Sequence, residues 1–213
     1  MIVAIDGTLA SGKGTLARRL AAHYGLAHMD TGQLYRATGV AALRAGVDLA
    51  DEAGCARLAE ALDLASYDDG ALRTAEAGQA ASKVAALPAV RAALLQLQRD
   101  FAHQPGGAVL DGRDIGTVVC PDADVKFWVD AAIEERARRR TSELRAAGSS
   151  ITMEEMLAAL HERDARDRAR ESAPMKQADD AILIDTTDLT IDAVVDKARA
   201  AIDAVLAEKT SRL

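Results

Sequence analysis

The segment that most limits what this chain can become is Gly7-Thr8-Leu9-Ala10-Ser11-Gly12-Lys13-Gly14-Thr15. It follows the apolar run Ile2-Val3-Ala4-Ile5 and opens a helix with apolar positions at Leu16, Leu20 and Ala21. Strand, glycine-bearing loop and helix in that order, with G-x-x-x-x-G-K at the junction, make a phosphate cradle. Glycines let backbone N–H groups turn inward around phosphate oxygens, the helix start adds its positive dipole end, and the lysine reaches the outer phosphates. Residues Gly7, Thr8, Leu9, Ala10, Ser11, Gly12, Lys13, Gly14 and Thr15 are therefore the expected ATP contacts, with Lys13 also expected to act in catalysis. Gly14 follows the lysine and the hydroxyl comes one residue later at Thr15, so a direct Mg2+ contact there stays open. Gly12-Lys13-Gly14-Thr15-Leu16-Ala17 also fits the dinucleotide pattern G-x-G-x-x-A, but that pattern accounts for neither Gly7 nor the lysine.

Three further short apolar runs read as strands: Ala108 to Leu110, Val125 to Val129, and Ala181 to Ile184. None alternates, which suits a parallel sheet covered by helices on both faces, a three-layer α/β/α P-loop fold. Helical patterning dominates from Gly32 to about Arg99, broken near Asp68-Asp69-Gly70 and at Pro88. Two charged helical segments flank Gly148-Ser149-Ser150 between Glu134 and Ser172, and a last helix runs from about Thr190 to Glu208. A length of 213 residues is compatible with a single domain over 1–213. The net charge of −7 argues against a nucleic-acid partner, because that role needs a basic surface to displace phosphate counterions. Cys55 and Cys120 lack zinc or disulfide spacing, and no apolar stretch reaches membrane-spanning length, so a cytoplasmic protein without a membrane partner is expected.

Several charged groups invite chemistry and have plainer readings beside them. Asp111 ends the Ala108–Leu110 strand, where open α/β sheets place ligand groups; it either holds Mg2+ through water or caps the turn at Gly112. Arg163, Asp167 and Arg170 stand at i, i+4 and i+7, one helical face able to grip a phosphate. Spacing alone, however, favours a solvated, salt-bridged helix. Arg136, Arg138, Arg139 and Arg140 suit a lid over ATP phosphates, with a plain basic helix face as the alternative for Arg136 and Arg138. His23, His28, His103 and His161 have no ligand spacing and read as surface or local packing. Phe127 and Trp128 read as core.

Asp30-Thr31-Gly32-Gln33-Leu34-Tyr35-Arg36, Ala81-Ser82-Lys83-Val84-Ala85 with Arg91, Asp111-Gly112-Arg113-Asp114-Ile115-Gly116-Thr117-Val118, Arg163 to Arg170, and Asp179-Asp180-Ala181 with Asp185-Thr186-Thr187 complete a set. With the phosphate loop, the chain resembles the bacterial cytidylate kinases over nearly its whole length. The resemblance implies transfer of the γ-phosphate of ATP to CMP or dCMP in a monomer, with Mg2+, an acceptor-binding insert over about 31–100 and a lid over about 134–172. It implies that Thr31, Tyr35 and Arg36 line the acceptor site and that Ser82, Arg91 and Asp114 read the cytosine edge. Arg113 and Arg170 would hold the acceptor phosphate, Arg163 and Asp167 the ribose, and Arg139 and Arg140 would belong to the lid. Arg113, Arg139 and Arg170 join Lys13 as expected catalytic groups. The stretch between Leu64 and Ala81 is short beside the long-insert members of the family. A carboxylate at 114 with Arg91 and Ser82 complements cytosine, whose exocyclic amine uracil replaces by a carbonyl. The rival readings are a P-loop kinase for UMP, AMP or a metabolite alcohol, and an ATP-dependent switch.

Overall fold

The computed structural model describes residues 1–68 and 70–211. The turn expected at Asp68-Asp69-Gly70 is therefore described only at its flanks, where Gly70 N–H donates to the Asp68 carboxylate. Five strands, β1 (Ile2–Gly7), β2 (Ala27–Asp30), β3 (Ala108–Gly112), β4 (Val125–Asp130) and β5 (Ile182–Asp185), form one parallel sheet in the order β2-β3-β1-β4-β5. The most apolar run of the sequence occupies the centre. Register pairs Ile5 with Asp111 and Gly7 with Val129, so the strand ends carrying the loop, Asp111 and Asp130 lie along one edge.

Helices α1 (Lys13–Tyr24) and α8 (Ile191–Thr210) cover one face, packing Leu16, Leu20 and Ile202 on Val3, Ile5 and Phe127. On the other face Ala102 and a π-helix at Ile115–Val119 close over Ala4, Ala108 and Leu110. A separate core joins α2 (Thr31–Ala45), α3 (Glu52–Glu60), α4 (Ala75–Val84) and α5 (Pro88–Ala102) through Leu34, Tyr35, Cys55, Val84 and Leu94. A small third one joins α6 (Ile133–Ala146) to α7 (Met153–Arg168) through Ala137, Leu144, Met156 and Leu160, with Leu9 of the loop packed on it. Helix α7 starts at a reciprocal cap in which Thr152 and Glu155 satisfy each other's backbone N–H groups.

One strand is absent from the sequence reading and one expectation needs correction. Strand β2 has no apolar run to announce it: Ala27-His28-Met29-Asp30 is four residues long, half-buried and at the sheet edge. Strand β5 is not covered on both faces, since Ile182 and Leu183 are 41% and 55% exposed and only Ile184 is buried. Its place at the opposite edge explains this. No single helix among the described residues is long and apolar enough to cross a membrane.

Candidate active site

The loop between β1 and α1 is held open by backbone geometry. Gly7 has φ 152°, and a Cβ there would lie 1.9 Å from the Val129 carbonyl oxygen; Gly12 caps α1 at φ 91°. Ala10 also takes positive φ, at 62°. Inside the turn, Ser11 Oγ donates to Thr8 O at 3.0 Å, and Thr8 Oγ1 donates to Asp130 at 2.6 Å. Thr8 and Ser11 are fully buried, so with Gly7 they shape the loop from behind, while Leu9, Ala10, Gly12, Lys13, Gly14 and Thr15 face a cleft of about 720 Å³. Lys13 Nζ donates to Thr8 O at 3.3 Å. Burial, and next the charge of Arg113, push its ammonium down to about 7, which Asp111 and Asp30 only partly offset. A polyphosphate in the cleft would supply the missing counter-charge.

Beside the loop Asp111, next to last in β3, is almost wholly buried. Its Oδ2 lies 2.8 Å from His28 Nε2, while Oδ1 lies 3.7 Å from where a Cβ would stand on Gly14. Thr31 Oγ1 donates to the Asp111 carbonyl at 2.8 Å, so that hydroxyl fixes the end of the strand. Asp111 and Thr15 thus face the same space beside the loop. Among the described residues no cluster of three His, Cys, Asp or Glu could cage a metal.

The other half of the cleft is a network of buried charge. Asp167 accepts from Arg113 Nε at 3.2 Å and pairs with Arg170 at 3.2 Å and Arg163 at 3.9 Å; Ser82 Oγ donates to it at 3.4 Å. Burial pushes this carboxyl up, but the three arginines outweigh that and hold it below the ordinary value. Arg163 also donates to Gly78 O at 2.9 Å, and burial with the Arg113 charge pushes it down to about 10. The Nε atoms of Arg36 and Arg163 are buried without a hydrogen-bond partner. Three guanidinium groups against one carboxylate leave two positive charges, the match for a phosphate monoester dianion. The face that spacing assigns to a solvated helix is therefore buried: Asp167 is 3% exposed and Arg170 8%.

Next to this cluster Arg91 forms an ion pair with Asp114, and its guanidinium lies over the Tyr35 ring at 5.4 Å. Tyr35 thereby backs Arg91. Arg36 pairs with Asp30 at 2.7 Å. Thr31, Tyr35, Arg36, Ser82, Arg91, Arg113, Asp114, Arg163, Asp167 and Arg170 all line the one cleft with Lys13.

The arginines at 136, 138, 139 and 140 on α6 divide. Arg136 is no plain basic face: it is buried, donates to Ala131 O at 3.0 Å and Leu9 O at 3.4 Å, and pairs with buried Asp164 at 2.8 Å. It roots α6 to α7 and to the phosphate loop. Arg138 is exposed and pairs with Glu135, as a solvated face requires. Arg139 donates to Thr186 Oγ1 at 2.9 Å and Thr186 O at 2.6 Å, while Arg140 reaches Arg73 O at 3.3 Å and Glu143 at 2.7 Å; both line the cleft.

Sequence reasoning missed four contributors. His28 is a cleft residue bonded to Asp111 and not mere packing. Asp6, fully buried, accepts from the N–H groups of Ile115 and Gly116 at 2.8 Å each and so fixes the turn that presents Arg113 and Asp114; burial pushes its carboxyl up to about 7. Thr186 donates to Ser11 O at 2.8 Å and accepts from Arg139, so it joins the phosphate loop to α6. Arg166 donates to Ser82 Oγ at 3.0 Å. A carboxylate closing an apolar strand, as at Asp6, was the one available signal.

A model of the cytidylate kinase family matches residues 3–204. A protein named cytidylate kinase from Cereibacter sphaeroides is 59% identical over 94% of each chain, and one from Rhodopseudomonas palustris strain BisA53 is 55% identical over 100% of each. A solved structure of an uncharacterized protein from Eubacterium ventriosum shares the fold, with TM-score 0.57 at 15% identity over 95% of this chain and 98% of that one.

Proposed function

Because the chain belongs to the cytidylate kinase family and catalyses ATP-dependent phosphorylation of CMP and dCMP, we propose that Lys13 and the Asp167-centred arginine cluster perform it by direct in-line transfer. The observation that carries this reading is the arrangement of charge. A loop built for a polyphosphate faces a cluster with two uncompensated positive charges across one cleft. The acceptor is already an anionic oxygen, so alignment and charge neutralisation suffice and no carboxylate base is needed.

Arg113 and Arg170 hold the acceptor phosphate against Lys13, Arg163 and Asp167 bind the ribose side, and Arg139 and Arg140 close from α6 over the ATP phosphates. Asp114 accepts from the cytosine amine while Arg91, braced by Tyr35, donates to the base. Uracil would set a carbonyl against Asp114 and leave both unpaired. Thr15 and, through water, Asp111 would hold Mg2+, which supplies charge neutralisation at the β and γ phosphates when bound.

The segment of α2 to α5 serves as the acceptor insert and α6–α7 as the lid within a single domain. A monomer follows from the family resemblance, and a reducing, cytoplasmic setting is supported by two free buried thiols. An ADP-release assay with CMP, dCMP, UMP and AMP tests the acceptor: CMP and dCMP should lead, and ADP release independent of any acceptor would refute the reading. Chiral γ-phosphate should be transferred with inversion; retention would rule out the direct step. Sedimentation should give one chain per particle.

A further inference from the structure

We infer that His28 is a positioning residue for Asp111, holding one carboxylate oxygen so that the other faces the phosphate loop where the Mg2+ of Mg-ATP is bound. This rests on the proposed assignment of Asp111 to the metal. The two side chains come from neighbouring edge-side strands: β2 pairs with β3 so that His28 lies beside Val109 and Asp30 beside Asp111. Side chains two residues apart on a strand share a face, which places His28, Asp30 and Asp111 together. Asp30 is taken by Arg36 at 2.7 Å, which leaves the His28 ring to Asp111.

The consequence lies in the rotation of the carboxylate. Oδ2 is fixed by His28 Nε2 at 2.8 Å, and that bond is sheltered, with the Asp111 side chain 4% exposed and the ring 20%. Oδ1 is left pointing at Gly14, one residue from the Thr15 hydroxyl. Without the ring, Asp111 could turn toward Lys13, whose ammonium feels its charge. That carboxylate would then be lost to the metal. A hydrogen-bond partner that orients a ligating carboxylate typically contributes about tenfold or more to metal affinity.

The test compares His28→Leu, His28→Gln and Asp111→Asn in the full chain. Mn2+, a paramagnetic replacement for Mg2+, is titrated into each ADP complex and its binding followed by electron paramagnetic resonance; rates are measured against Mg2+ concentration. His28→Leu should weaken Mn2+ binding about tenfold and shift the Mg2+ requirement upward to match. His28→Gln, which can place an amide N–H near the Nε2 position, should restore most of the loss. The KM for CMP should stay within about twofold in both, because no acceptor contact is removed. If Asp111→Asn weakens Mn2+ and His28→Leu does not, the inference falls while the role of Asp111 stands. If neither weakens it, the Asp111 assignment falls as well. Equal losses in the Leu and Gln variants would mean that the hydrogen bond is not the cause, and would also overturn the inference.

Discussion

Between Gly7 and Gly12 the cleft is walled by backbone whose shape is set by torsion angles and by short-range bonds such as Ser11 to Thr8 and Lys13 to Thr8, with Asp130, Arg136 and Thr186 anchoring it from outside. On the facing side Arg91, Arg113, Arg163 and Arg170 come from α5, the turn after β3, α7 and its C-terminal extension, and they are held by Asp114 and Asp167. The donor wall can exist before its ligand because its shape is a matter of torsion angles. The acceptor wall exists only once distant segments have met, and its charge is left unbalanced until a phosphate arrives. A kinase divided this way can keep one loop for ATP and vary the other wall to choose its acceptor.

The division can be broken from either side. The largest effect should come from Gly7→Ala, whose methyl meets the Val129 carbonyl at 1.9 Å and whose φ is unfavourable for any side chain. A loss of about 3 kcal/mol in unfolding free energy is expected, read by denaturant titration; a loss below about 1 kcal/mol would mean that the loop yields more easily than its geometry implies. Arg170→Ala should lower kcat/KM for CMP by about 10²-fold, the loss for one member of a buried charge cluster. ATP binding should hardly change, and an equal loss for both substrates would erase the distinction between the walls. Asp114→Asn should narrow the preference for CMP over UMP by about tenfold, measured as the ratio of the two kcat/KM values; parallel losses would remove Asp114 from base reading.

The smallest effect concerns protons. Lys13 is pushed down to about 7 from 10.5, so between those values the unfolded chain holds a proton that the folded one does not. That cost to stability is fully present below pH 7 and is relieved as pH rises through the window. A bound polyphosphate reverses the bias, and ATP binding at pH 8 should take up as much as about one proton, measurable by calorimetry in buffers of different ionisation enthalpy. Proton release would contradict it.

The same contrast decides what could be read from residues alone. Glycine spacing and a lysine identify the donor loop because the constraint is local, and the central strands follow from apolar runs. The Arg163–Asp167–Arg170 face looks like solvated surface by spacing, because burial comes from Gly78 and Ser82 on α4 and Arg113 after β3, far away in sequence. The motif resemblance, rather than periodicity, singles it out. His28 is invisible because β2 carries no apolar signal and its partner Asp111 is reached only through strand pairing. Arg136 is misjudged for a related reason: its counter-ion Asp164 stands one helix later.

The position of β1 has a consequence for synthesis. It is the earliest made of the five strands and the innermost of the sheet, yet Ile2 pairs with Ala108 and Val3 with Val125. At ordinary translation rates roughly a hundred residues take about 5–20 s to follow, and throughout that interval an apolar strand and the loop that grips ATP have no sheet to join. The most recognisable part of the enzyme is thus the one that waits longest to be folded, and it is there that a nascent chain stalled before residue 108 should be cut by protease or claimed by a chaperone.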